Sequence, residues 1–203
     1  MPKIGILGGT FNPVHNGHIA IAKCVLQNTD IQQIVFLPTG NPHYKVSDTV
    51  ADKSHRFNML CIATHGMNNI EISDYEIKST TPCYTVDTMR YFKSHNPQNE
   101  YCFIIGADSL DYIHKWKDAK NLIAENEFIV VNRNFKDNYN LDKNIEYILS
   151  VGGKVTKADM PMIDISSSMV RDMIKSGIDA TQYIGKNVYE YIINNKLYIG
   201  ESK

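Results

Sequence analysis

The stretch that most constrains this chain is Gly8-Gly9-Thr10-Phe11-Asn12-Pro13-Val14-His15-Asn16-Gly17-His18. Ahead of it, Lys3-Ile4-Gly5-Ile6-Leu7 reads as a buried strand, and behind it Ile19 to Leu26 is an apolar run long enough for a helix. Strand, glycine turn, helix is therefore the expected order. Paired glycines let backbone N–H groups approach a ligand, and a helix start offers unpaired N–H groups at the positive end of its dipole. Such a place suits phosphate. His15 and His18, three apart, fall on one face at the helix start and can both address one anion.

The spacing excludes two familiar phosphate loops, because the stretch is neither GxGxxG nor GxxxxGK[ST]. A metal site on the histidine pair is the other alternative, but no Cys, Asp or Glu lies beside them to complete a zinc shell. The expectation is an anion site with no metal held by protein ligands.

Charge says where that site must come from. Across 203 residues the formal net charge is −1, which gives no general attraction to nucleic acid or to acidic membranes. Any anion site must be local. Cys24, Cys61, Cys83 and Cys102 show no CxxC spacing and read as reduced core residues, not as a disulfide framework or zinc site. No signal peptide opens the chain and no apolar run reaches the length of a membrane span, so a cytoplasmic protein is expected.

Further apolar runs occur at Ile34–Leu37, Ile70–Ile72, Tyr101–Ile105 and Phe128–Val131, with helical stretches between them. This alternation predicts an α/β fold, a doubly wound, Rossmann-like parallel sheet covered on both faces. No repeat or flexible linker divides it, so one domain over residues 1–203 is expected, with the polar segment Asn132–Asn144 as a surface loop.

In such sheets ligands sit beyond the carboxyl ends of the strands, and the remaining unusual residues follow strands. After the second strand comes Pro38-Thr39-Gly40-Asn41-Pro42-His43-Tyr44-Lys45, an irregular loop ending in a cation. His55 to Ala63 is a packing helix in which Arg56 reads as a solvated residue. Thr81-Pro82-Cys83-Tyr84-Thr85-Val86-Asp87 reads as a turn into a helix capped near Thr85. The fourth strand ends in Gly106-Ala107-Asp108-Ser109, where Asp108 can cap a helix or accept from hydroxyls, and Trp116 is the only tryptophan. Ile165-Ser166-Ser167-Ser168 supplies an N-cap and a second set of donors, with Arg171 one turn beyond Ser168 on the same face.

Together these residues resemble the HxGH nucleotidyltransferase superfamily, and within it the bacterial nicotinate-mononucleotide adenylyltransferases. The signature is His15-Asn16-Gly17-His18, with Asn12 where many relatives have Asp. Pro-x-x-x-Pro-His-x-Lys around Lys45, Gly-Ala-Asp-Ser-Leu with a following Trp, and Ile-Ser-Ser-Ser-x-Val-Arg match further family motifs. Ser168 replaces Thr, Tyr44 is inserted before Lys45, and Gly185 replaces Pro in the closing Tyr183–Ile192 segment.

The resemblance implies transfer of AMP from ATP to nicotinate mononucleotide, with Mg²⁺ accompanying the ATP. It assigns His15, His18 and Arg171 to catalysis. ATP falls to Gly8, Gly9, Thr10, Phe11, His15, His18, Gly106, Asp108, Ile165, Ser166, Ser168 and Arg171. The pyridine nucleotide falls to Lys45, Tyr84, Thr85 and Trp116. A homo-oligomer is allowed but not specified. Transfer to phosphopantetheine or glycerol phosphate would share the histidine and serine motifs but leave Gly106–Trp116 unexplained. A nucleotide sensor without turnover would not need so many aimed cations.

Overall fold

A computed structural model of the chain describes residues 1–40, 50–132, 138–161 and 163–199. The elements run β1 (Lys3–Gly9), α1 (Asn16–Asn28), β2 (Gln33–Pro38), α2 (Lys53–Ala63), β3 (Ile70–Ile72), α3 (Tyr75–Lys78), α4 (Thr85–His95) and β4 (Glu100–Gly106). They continue with α5 (Ala107–Leu110), a 3₁₀ turn at Ile113–Lys115, α6 (Ala119–Glu125), β5 (Glu127–Asn132), α7 (Asn138–Ser150) and β6 (Lys154–Asp159). Three helices close the chain, α8 (Ser167–Lys175), α9 (Thr181–Ile184) and α10 (Lys186–Asn194).

The six strands form one sheet in the order β3-β2-β1-β4-β5-β6. β1 pairs parallel with β4, β4 with β5 and β5 with β6. This is the doubly wound order, with its reversal between β1 and β4. The inner strands are buried through their middles, as parallel strands covered on both faces must be. Burial explains why they read as unbroken apolar runs.

β6 does not, since Lys154-Val155-Thr156-Lys157-Ala158-Asp159 lies at the sheet edge with only Ala158 buried. Edge strands carry charge against further pairing, so no hydrophobic run announces this one. The polar segment expected as a loop to Asn144 is also corrected, because α7 begins at Asn138. Its Leu141, Ile145 and Ile148 bury at helical spacing.

The chain divides into two compact units. One comprises Met1–Gly8, Ile21–Val35 and Cys83–Ile163, the other Gly9–Ala20, Phe36–Pro82 and Asp164–Lys203. The first packs Ile6, Val25, Ile34, Leu122, Ile123, Phe128, Ile129 and Ile148, and the second packs Phe11, Phe36, Met59, Leu60, Val170, Val188 and Ile192. Burying each side chain of this size contributes about 1.5–3 kcal/mol.

Candidate active site

Leaving β1, the chain of the second unit turns through Phe11, whose backbone is left-handed (φ 49°) and whose ring is buried. That ring meets Phe36 and His18 edge to face, at centroid distances of 5.4 and 4.9 Å. The Phe11 side chain is therefore core, and only its backbone can face a ligand.

α1 then starts with a reciprocal cap. The His18 N–H donates to the His15 carbonyl at 2.9 Å, and the His15 N–H donates to His18 Nδ1 at 3.2 Å. His18 occupies the place that Glu takes in a capping box. Because Nδ1 accepts, the neutral ring carries its proton on Nε2, so the bond assigns the tautomer and makes Nε2–H the ring's donor. The two rings stack at 3.7 Å. Gly17 is required by that stack, since a Cβ there would lie 3.0 Å from the His15 ring and 2.9 Å from Ile165.

Ile165 belongs to the second cradle. Ser166 caps α8, accepting from the Met169 N–H at 3.1 Å. The neighbouring Ser167 hydroxyl donates to the Pro13 carbonyl at 2.9 Å. Arg171 donates from Nη1 to the Asn12 carbonyl at 2.8 Å and from Nη2 to Ser168 Oγ at 3.2 Å. The start of α8 and the turn before α1 are thus tied directly, within one unit. Two helix starts and one guanidinium give N–H donors in quantity, which is the chemistry of a polyphosphate site.

Arg56 is the residue that the sequence reading missed. It is 1% exposed, not solvated. Its guanidinium donates to the carbonyls of Ala51 (3.1 Å), Thr10 (2.8 Å) and Gly40 (2.8 Å). Burial lowers its pKa, opposed by Tyr198 and Asp52, yet an arginine stays charged at neutral pH. A buried cation that satisfies three carbonyls holds the turn at Thr10 and the end of β2 together. Its signal was present in the helical spacing, because Arg56, Met59 and Leu60 share the buried stripe of α2.

The remaining candidates lie in the first unit. Gly106 ends β4 and occupies the N-cap position of α5, which places the exposed Asp108 in the first turn of that helix. α4 begins at Thr85 as expected, but the N-cap is Tyr84 and no side chain caps it. Thr85 therefore contributes one of the first N–H groups of α4 and not a capping hydroxyl. Trp116 meets Phe103 edge to face at 5.9 Å. Beside it, Lys117 Nζ sits 4.2 Å over the Tyr84 ring and 3.0 Å from Asp87.

In sum, Gly9, Thr10, Phe11, His15, His18, Ile165, Ser166, Ser168 and Arg171 lie in the second unit, and Gly8, Tyr84, Thr85, Gly106, Asp108 and Trp116 in the first. Lys45 lies outside the described residues. Among the described residues no group of three or more His, Cys, Asp or Glu could hold a metal ion, and no helix is long and apolar enough to cross a membrane. The four cysteines are free, but Cys61 is exposed and Cys83 half-buried, which corrects their reading as core residues.

A strand-turn-helix with a capped histidine pair, facing a serine-capped helix with its arginine, defines a nucleotide-binding α/β transferase class. The family model described as cytidylyltransferase-like matches residues 6–173. A Clostridium tetani protein carried as "probable nicotinate-nucleotide adenylyltransferase" is 36% identical over 202 residues, covering 98% of this chain and 100% of its own. A Clostridium botulinum protein of the same name is 35% identical over 195 residues, covering 95% and 97%. Among solved structures, Plasmodium falciparum nicotinic acid mononucleotide adenylyltransferase complexed with NaAD superposes with a TM-score of 0.81 at 25% identity, covering 98% of both chains. The chain belongs to the cytidylyltransferase-like family and, within it, to the nicotinate-nucleotide adenylyltransferases.

Proposed function

We propose that this chain transfers the adenylyl group of ATP to nicotinate mononucleotide, forming deamido-NAD and pyrophosphate, and that it works in the cytoplasm. The carrying observation is the direct tie between the α1 and α8 starts, in which Arg171 reaches the Asn12 carbonyl and Ser167 the Pro13 carbonyl.

A 5′-phosphate oxygen of the mononucleotide attacks the α-phosphorus of ATP, the bond from the α-phosphorus to the bridging oxygen breaks, and pyrophosphate leaves. The attacking phosphate has a second pKa of about 6, so it is mostly dianionic at neutral pH and needs no general base. The residues' task is positioning and charge stabilisation. His18 Nε2–H, whose tautomer the capping bond assigns, donates to the α-phosphoryl oxygens, with His15 stacked behind it. The α8 N–H groups, Ser166, Ser168 and Arg171 receive the β and γ groups. Lys45 is a further cation for the acceptor phosphate.

Gly8, Gly9 and Thr10 give backbone approach to the phosphates, Phe11 and Ile165 shape the turn beneath them, and Gly106 with Asp108 takes the adenosine hydroxyls. Mg²⁺ bound to the triphosphate would supply further charge neutralisation there, beside the donors of Arg171 and the α8 start. On the pyridine side, the Trp116 ring stacks on nicotinate and the Thr85 N–H at the start of α4 faces its carboxylate.

The test is pyrophosphate release from ATP with nicotinate mononucleotide, nicotinamide mononucleotide, phosphopantetheine and glycerol phosphate offered separately. Turnover with nicotinate mononucleotide well above the others is expected. Release with either of the last two alone would reassign the acceptor, and ATP binding with no release on any would make the protein a sensor.

A further inference from the structure

The mechanism leaves one side chain of the second unit unused although it reaches into the phosphate turn. Tyr198 lies beyond α10, and the chain arrives there through left-handed backbone at Lys196 (φ 54°) and at Tyr198 itself (φ 60°). Non-glycine residues are strained in that region and persist where surrounding contacts over-determine them. Here the contact is a hydrogen bond of 2.6 Å between the Tyr198 hydroxyl and Asn12 Oδ1.

The same oxygen accepts from the Ala51 N–H at 2.9 Å. A backbone N–H only donates, so the Asn12 atom facing it is the amide oxygen, and Tyr198 must be the second donor. Both lone pairs of Oδ1 are then filled. Asn12 is 5% exposed, and its own carbonyl is the acceptor for Arg171. Ala51 in turn gives its carbonyl to Arg56, which also holds Thr10. The closing segment and the chain leading into α2 therefore meet at the Asn12 side-chain amide, and the α8 arginine meets the same residue at its main-chain carbonyl. Burial pushes the Tyr198 phenol up from its ordinary value, against the opposing pull of Arg171 and Arg56, so the hydroxyl keeps the proton that it donates.

We propose that Tyr198 is a positioning residue for triphosphate binding, its hydroxyl fixing the Asn12 amide and thereby the turn and the Arg171 guanidinium in the conformation that receives ATP. The inference rests on the reading of this end as the triphosphate site. Asn12 stands where Asp is common in the resembling family, and its neutral amide oxygen accepts from a backbone N–H and a phenol.

The test is Tyr198→Phe, which keeps the ring and removes one hydrogen bond. KM for ATP, and the calorimetric Kd for ATP, should rise about 3- to 10-fold, the range one such bond contributes, while KM for nicotinate mononucleotide stays within about twofold. In an Asn12→Ala background the same change should alter the ATP values by less than about twofold, because its partner is gone. ATP-induced stabilisation against thermal unfolding, read from each variant's own ligand-free midpoint, reports the same loss if the variant's baseline is lower. Unchanged ATP constants in Tyr198→Phe, an equal effect in both backgrounds, or both KM values rising together would each overturn the proposal. Wild-type protein that failed to bind ATP would overturn this proposal together with the reading it rests on. Intact wild-type binding with an unaltered variant overturns this one alone.

Discussion

The region around the α1 and α8 starts and the region from Tyr84 to Lys117 are both assigned to substrate, yet they are built by opposite means. In the first, side chains bond to backbone. Arg56 takes three carbonyls, Arg171 and Ser167 take those of Asn12 and Pro13, and Asn12 takes the Ala51 N–H. In the second, the bonds beside Tyr84 join exposed side chains, while further along α4 Ser94 and His95 bond to the Tyr91 carbonyl. Lys117 bridges Asp87 and the Tyr84 ring, with the side chains of Lys117 and Asp87 50% and 49% exposed. A hydrogen bond to a charged group contributes about 1.5–3 kcal/mol, whereas an exposed ion pair contributes about 0–1 kcal/mol. The turn proposed for phosphate is therefore tied by bonds to backbone, and the segment proposed for the pyridine ring carries an exposed ion pair.

That contrast fits the two ligands. Polyphosphate charge is repaid only by donors already aimed, because reorienting dipoles during reaction costs free energy. An aromatic acid needs mainly a flat surface and a few N–H groups.

The largest effect should follow removal of the buried hub. Arg56→Leu strands three carbonyls and should lower unfolding free energy by roughly 3 kcal/mol or more, measured by denaturant titration. A change below about 1 kcal/mol would mean the turn is held by something else. Next, His18→Ala removes both the capping acceptor and the Nε2–H donor. Its kcat should fall on the order of 10²-fold with ATP binding less affected, and near-normal turnover would remove the mechanism.

On the looser side, Trp116→Ala should raise KM for nicotinate mononucleotide by about 10-fold and leave KM for ATP unchanged, as loss of one stacking surface does. An unchanged acceptor KM would make Trp116 a packing residue against Phe103. Smallest of all, Lys117→Met should change stability by less than about 1 kcal/mol. A larger loss by thermal melting would break the contrast, showing that an exposed pair had become a structural tie.

The two regions also differ in how far the sequence disclosed them. The inner strands were legible because two-sided burial writes an unbroken apolar run, and the two helix starts because glycines, histidines and serines punctuate them. β6 was hidden by its edge position and α7 by a polar face that outweighs Leu141, Ile145 and Ile148. The partners of the turn were less legible. Arg56 could have been found from its register with Met59 and Leu60, but a lone arginine is ordinarily solvated. Tyr198 carried no such signal, since its approach to Asn12 depends on left-handed backbone that no local pattern encodes. Gly185, read as a departure from Pro, adopts φ 79° at the start of α10, a value Pro cannot take.

The most direct measurement is a crystal structure with a non-hydrolysable ATP analogue. The account predicts an α-phosphoryl oxygen within about 3.2 Å of His18 Nε2, and β and γ oxygens on the α8 N–H groups and Arg171. A triphosphate bound away from both helix starts would contradict it.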